Sequence, residues 1–155
     1  MQAKQCIDRA LRHLGRKRLS RGELTSRLSA DGFAPEDIRT AISKCLQWGY
    51  LDDRDYARSL IGLLQRKGFG PIHIRRALNA RELPADVIEA DLQSSRLEEN
   101  EIECCRCALL KKTNGPEQPN EPLRYRRKLY AYLFRRGFSS DAISRVLEEF
   151  FDSTA

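Results

Sequence analysis

The chain has 155 residues, about one ordinary domain by length. Leu, Ile, Val and Phe number 37, too many for a disordered segment, and 20 Leu with 9 Ile against 2 Val and 4 Thr point to an all-α fold. The net charge of +6 directs attention to anionic partners. No apolar run approaches the roughly 18–20 residues of a membrane span, and Lys and Arg interrupt the chain from Lys4 onward where a signal peptide would be apolar. A soluble cytoplasmic protein without membrane contact is expected.

In chain order, a first helix is expected over residues 3–16, with Ile7, Ala10, Leu11 and Leu14 as its apolar stripe. Ser20 and Glu23 have the spacing of a capping box and open the second. Gly32 suits a left-handed helix terminus, and Ala34-Pro35 begins the third helix. Trp48-Gly49-Tyr50-Leu51 closes this unit, with Trp48 and Phe33 assigned to the core and Tyr50 and Leu51 to a joint with the next unit. Asp52 or Asp53 caps a helix over 53–67 with Tyr56, Ala57, Leu60, Ile61 and Leu64 on its stripe. Gly68-Phe-Gly-Pro71 ends that helix and starts another. A further helix is expected at 98–112 with Ile102, Cys105, Leu109 and Leu110 inward, and a polar loop with three prolines, 113–122, is the candidate hinge. Ser139 or Ser140 caps the last helix, and Phe138 and Phe150 belong to the core. Tyr125 and Tyr132 stay open between packing and base stacking.

A repeat organises these elements. Leu24, Leu28, Phe33, Ile38 and Ile42 have spacings of four, five, five and four; Ile74, Leu78, Leu83, Ile88 and Leu92 repeat them, as do Leu129, Leu133, Phe138, Ile143 and Leu147. Each match reads as helix, turn, helix, and a further helix precedes each pair. Three tandem three-helix, helix-turn-helix-like repeats follow, over 1–51, 52–97 and 98–155, expected to stack into an elongated, curved molecule.

No catalytic constellation is present. Gly68 and Gly70 lack the flanking pattern of a phosphate loop, and the two histidines, His13 and His73, sit beside no nucleophile. Five cysteines, three of them within 104–107, lack the matched second pair of a zinc site and read as reduced thiols on buried helix faces. No metal or cofactor is expected. Charge is segregated: residues 1–30 carry eight Lys/Arg against two acids, 54–81 seven against one, and 106–136 nine against two, while 82–105 holds eight acids and only Arg96. Basic blocks at equivalent places in the repeats suggest a polyanion contacted at intervals, with the acidic block left for a protein partner.

Ser20-x-x-Glu23-Leu24, Gly49-Tyr50-Leu51-Asp52-Asp53 followed by Tyr56-Ala57, Lys67-Gly68-x-Gly70-Pro71-x-x-Ile74 with Leu78, and Arg135-Arg136-Gly137-Phe138 together resemble the RecX family of recombination regulators. The proline-rich loop, the short N-terminus and the Cys104–Cys107 cluster depart from the family pattern. The resemblance implies a non-enzymatic regulator that binds the RecA–single-stranded-DNA filament and inhibits RecA ATP hydrolysis and strand exchange. The partners it implies are RecA and single-stranded DNA; the basic faces leave duplex DNA open as a further ligand, and the chain is expected to be a monomer. The filament-facing surface is placed on Lys67, Arg75, Arg76, Arg124, Arg126, Arg127, Arg135 and Arg136. The alternative is a stand-alone helix-turn-helix-type DNA-binding protein.

Overall fold

A computed structural model describes residues 2–113 and 120–153, and these form nine α-helices and no strand. They are α1 (Gln2–Arg16), α2 (Arg21–Ala30), α3 (Pro35–Gln47), α4 (Asp53–Arg66), α5 (Pro71–Ala80), α6 (Ala85–Ser94), α7 (Glu101–Thr113), α8 (Pro122–Arg135) and α9 (Ser140–Asp152). Most of the proline-rich loop, and with it the expected hinge, lies outside the described residues.

The repeat spacing has a physical origin at every step. The steps of four place two side chains on one helix face. The first step of five is the apolar contact that accompanies a left-handed helix terminus. After α2, Gly32 (φ 88°) donates to the Ser29 carbonyl at 3.0 Å and Phe33 to the Leu28 carbonyl at 3.2 Å. After α8, Gly137 (φ 88°) donates to Phe134 at 3.0 Å and Phe138 to Leu133 at 3.3 Å. Glu82, with φ 52°, holds the same position after α5 although it is not glycine. The second step of five joins the residue before the N-cap to the fourth helical residue, an apolar staple. It pairs Phe33 with Ile38 about Ala34, and Phe138 with Ile143 about Ser139. All the repeat positions are buried except Phe33, which packs half-buried against the core.

The expected caps form. Ser20 Oγ accepts from Glu23 N at 3.0 Å while the Glu23 carboxylate accepts from Ser20 N at 2.9 Å. Asp52 Oδ1 accepts from Asp55 N at 3.0 Å, and Ser139 Oγ from Ala142 N at 3.3 Å.

The described chain divides into two compact units. The first comprises the residues up to Leu60 together with Ala77–Asp91. Its core joins Cys6, Ala10, Leu19, Leu24, Leu28, Ile38, Ala41, Ile42, Cys45 and Leu51. Asp31, at the end of α2, accepts from Arg9 at 2.9 and 3.0 Å and bonds His13 at 2.7 Å, fastening α1 to that terminus. Gly22 crosses the backbone so closely that a Cβ there would stand 2.3 Å from the Glu82 carbonyl oxygen. The second unit comprises Ile61–Arg76 and the chain from Leu92 onward. Its core joins Cys105, Ala108, Leu109, Leu129, Leu133, Phe138, Ile143, Val146 and Leu147. Arg106 on α7 reaches Glu149 on α9 at 2.7 Å, and Glu101 accepts from Ser139 N at 2.6 Å.

Four sequence expectations are corrected. Trp48 is 49% exposed and Tyr50 61%, because Gly49 (φ 77°) turns the chain after α3 so that Leu51 alone enters the core of the first unit. Leu110 is 56% exposed, and Ala108 takes the inward place beside Leu109. Cys107 is exposed, unlike buried Cys6, Cys45 and Cys105.

Candidate nucleic-acid interface

All eight sequence-nominated cations fall in the second unit, yet they divide by environment. Helix α8 buries Leu129 and Leu133 against the core. At 100° per residue, Arg124, Arg127, Lys128 and Arg135 cluster on the opposite side of that helix. All four are exposed, and from Arg124 to Arg135 the stripe runs about 16 Å at 1.5 Å per residue. Arg124 touches Glu121 at 3.6 Å, a solvated surface pair of little energetic weight. Arg126 points off the stripe, its guanidinium 5.7 Å from the Phe151 ring centroid. Arg76 is exposed on α5, and Arg75 is held at 3.6 Å by Glu98.

Arg136 is built into the fold. Gly70 N donates to the Arg136 carbonyl at 2.7 Å, and Ile72 N to that of Gly137 at 3.0 Å. A Cβ on Gly70 would stand 2.5 Å from the Gly137 oxygen, and one on Gly137 would stand 2.4 Å from His73 N. Two glycines thus allow the segment after α4 to lie directly on the turn after α8. This crossing aims the Arg136 guanidinium at the Lys67 carbonyl, to which it donates at 2.7 Å. It also lies 4.5 Å from the Phe69 ring centroid and 5.3 Å from that of Tyr132. Lys112 covers Tyr132 at 5.2 Å, and His73 stacks on Phe69 with centroids 4.0 Å apart. The result is a ladder: Lys112, Tyr132, Arg136, Phe69, His73. Burial lowers the His73 pKa below its ordinary value, and the positive charges of Arg136 and Arg76 lower it further. Lys67 itself is exposed beside this ladder.

Sequence reasoning places Arg136 on the polyanion face and misses the ladder. One of its links, Tyr132–Arg136, has the four-residue spacing of helical neighbours and is legible; Phe69 precedes α5, so its stacking on His73, Lys112 and the crossing of the two segments are not. Tyr132 resolves toward packing, as does Tyr125, whose ring meets Phe151 edge-on at 6.3 Å. Among the described residues no group of three or more His, Cys, Asp or Glu is placed to hold a metal ion, and no helix is long and apolar enough to cross a membrane.

Three family models match in order: the first three-helix domain of RecX over residues 6–45, the second over 52–92 and the third over 107–147. A regulatory protein RecX of Stenotrophomonas maltophilia (strain R551-3) is 35% identical over 142 residues, covering 90% of this chain and 83% of its own. The chain belongs to the RecX family. The regulatory protein RecX of Vibrio vulnificus (strain CMCP6) is 32% identical over 144 residues, covering 93% of this chain and 92% of its own. The crystal structure of RecX from Lactobacillus salivarius superposes with a TM-score of 0.75 at 19% identity, covering 96% of each chain, which supports the fold. The three RecX domains correspond to α1–α3, α4–α6 and α7–α9, the helix triplets that the spacing repeat marks out. The relatives matched are named as regulatory proteins, in keeping with a role in recombination and DNA repair.

Proposed function

We propose that this RecX-family chain is a non-enzymatic negative regulator of homologous recombination, acting in the cytoplasm as a monomer. It binds the RecA–single-stranded-DNA filament and inhibits RecA ATP hydrolysis and strand exchange. The observation that carries the reading is the stripe of Arg124, Arg127, Lys128 and Arg135 opposite the buried face of α8, in a chain whose relatives are regulatory RecX proteins. A row of solvated cations on a rigid helix suits the phosphates of a nucleoprotein filament, since neutralising several phosphates releases counterions along the strand. Within this reading Lys67, Arg75, Arg76 and Arg126 flank the stripe, and Arg136 shapes it. The three-helix units are taken to end near 51 and 97.

The test is RecA ATP hydrolysis on single-stranded DNA with this protein added at substoichiometric amounts and at two salt concentrations. Inhibition well below one molecule per RecA, weakening as salt rises, supports action on the filament, because a block at few sites affects many subunits. An unchanged rate with folded protein and saturated filament overturns it, and sequence-specific duplex binding without RecA then favours the stand-alone DNA-binding alternative.

A further inference from the structure

Cys104, Cys105 and Cys107 are absorbed by none of the foregoing. On α7 they occupy two environments. Cys105 is fully buried, and desolvation pushes its thiol up to about 12, so it stays protonated and inert. Cys104 is half-buried at the edge of the core of the second unit, and Cys107, one turn further on, is exposed. Residues three apart on a helix are neighbours, with Cβ atoms about 5–6 Å apart. Helix geometry puts their Cα atoms about 5 Å apart, inside the 4.4–6.8 Å range that a disulfide spans. Cys105 faces neither of the others, because residues one or two apart on a helix diverge.

We propose that Cys104 and Cys107 form a reversible dithiol–disulfide site whose oxidant is a hydroperoxide. Cys107, the solvent-reachable thiol, reacts first: its thiolate attacks the peroxide, the O–O bond breaks, an alcohol or water departs and a sulfenic acid remains. Cys104 sulfur then attacks Cys107 sulfur; the S–S bond forms, the S–O bond breaks, and hydroxide leaves with the Cys104 proton as water. Two thiols and one hydroperoxide give one disulfide, one alcohol or water and one further water, the two electrons passing from sulfur to the O–O bond. Glu103 accepts the Cys107 S–H at 3.9 Å and is itself paired with Arg106.

The disulfide has a structural consequence. Its Cβ atoms need about 3.5–4.5 Å, so the turn must close by roughly 1–2 Å. The residues that follow are Ala108 and Leu109, both buried, and Lys112 over Tyr132. Bending at 104–107 therefore disturbs the core beneath the cationic face, and a strained disulfide of this kind is readily reduced again. The site stands whether or not that face binds DNA.

The experiment needs neither DNA nor RecA. Folded full-length protein is treated with hydrogen peroxide, then followed by intact mass, peptide mapping and thermal melting. The expected result is loss of two hydrogens mapped to a Cys104–Cys107 link, with a lower melting temperature, both reversed by dithiothreitol. Cys104→Ser should instead leave Cys107 as a sulfenic acid that dimedone traps, and Cys107→Ser should leave Cys104 unmodified in the folded protein. The proposal is overturned if wild-type Cys107 is oxidised to sulfinic acid or joined to a second chain while Cys104 stays a free thiol.

Discussion

Arg136→Met separates an arginine that builds the fold from those that remain available to a partner. Met keeps the aliphatic stem but removes the guanidinium. The lost donor to the Lys67 carbonyl at 2.7 Å is a charged hydrogen bond, about 1.5–3 kcal/mol. Losing the faces of Phe69 and Tyr132, at 4.5 and 5.3 Å, adds about 0.5–1 kcal/mol each. Arg136 is half-buried, so solvent replaces part of this and Met recovers some ring contact, leaving about 2–3 kcal/mol. Trp48 is the only tryptophan and lies in the first unit, so its fluorescence does not report on this site. Hydrogen exchange of the core amides of α8 and α9 does, and about 30- to 150-fold faster exchange is expected where the second unit opens as a whole. Arg136→Lys should fall between, because an ammonium keeps the charge without the planar fork. Arg127→Met, on the exposed stripe, should change exchange by less than about 0.5 kcal/mol. If Arg136→Met exchanges like wild type, the ladder is not holding the unit together and the reasoning fails.

Gly32→Ala and Gly137→Ala share φ 88°, but a Cβ meets nothing within 4 Å at Gly32 and stands 2.4 Å from His73 N at Gly137. Urea unfolding should therefore show about 1–2 kcal/mol for the first, the left-handed penalty alone, and about 3 kcal/mol or more for the second; equal costs would contradict the close crossing. Because the folded pKa of His73 lies below its unfolded value near 6.5, the unfolded chain takes up the proton first as pH falls. Stability present above about pH 6.5 is lost as pH drops through the folded value, and His73→Gln should flatten that stretch of the stability–pH curve. Asp31 acts lower on the scale: the guanidinium of Arg9, then His13, hold it below the usual carboxylate range, so its contribution is present at neutral pH and disappears below about pH 4. Asp31→Asn should lose it at pH 7 in the same titration. Binding to single-stranded DNA should fall with salt at a log–log slope near −3 for four phosphates, and Arg127→Gln with Lys128→Gln should reduce that slope by about 1–1.5. An unchanged slope would remove both residues from the contact.

What the sequence discloses and what it withholds follow from the range of the interactions. The repeat spacing, the capping box at Ser20 and the turns at Gly32 and Gly137 are set by residues within five positions of one another, and all are legible in the order of the residues alone. Glu82 marks the limit of that reading, since nothing local distinguishes a glutamate that will take φ 52° from one that will not. Trp48 misleads for a related reason. Its size argues for burial, but the left-handed Gly49 beside it decides which of Trp48, Tyr50 and Leu51 faces inward. The cationic residues are legible as a set. Their separation into a solvated stripe and a stacked ladder is not, because it depends on Gly70 and Gly137, 67 positions apart, meeting backbone to backbone.

The partners given to individual cations also explain why a strongly basic segment tolerates its own charge. Residues 106–136 hold nine Lys and Arg against two acids, and unpaired cations packed together would oppose folding. The fold disposes of several by giving them partners other than carboxylates. Arg136 has a carbonyl and two ring faces, Lys112 one ring face and Arg126 another. Ring faces and carbonyl oxygens attract a cation without neutralising it, so the positive potential survives at the surface where Arg127, Lys128 and Arg135 lie. Carboxylate partners in those places would have cancelled the field. The choice of partner is therefore where stability and a positively charged face become compatible in this unit.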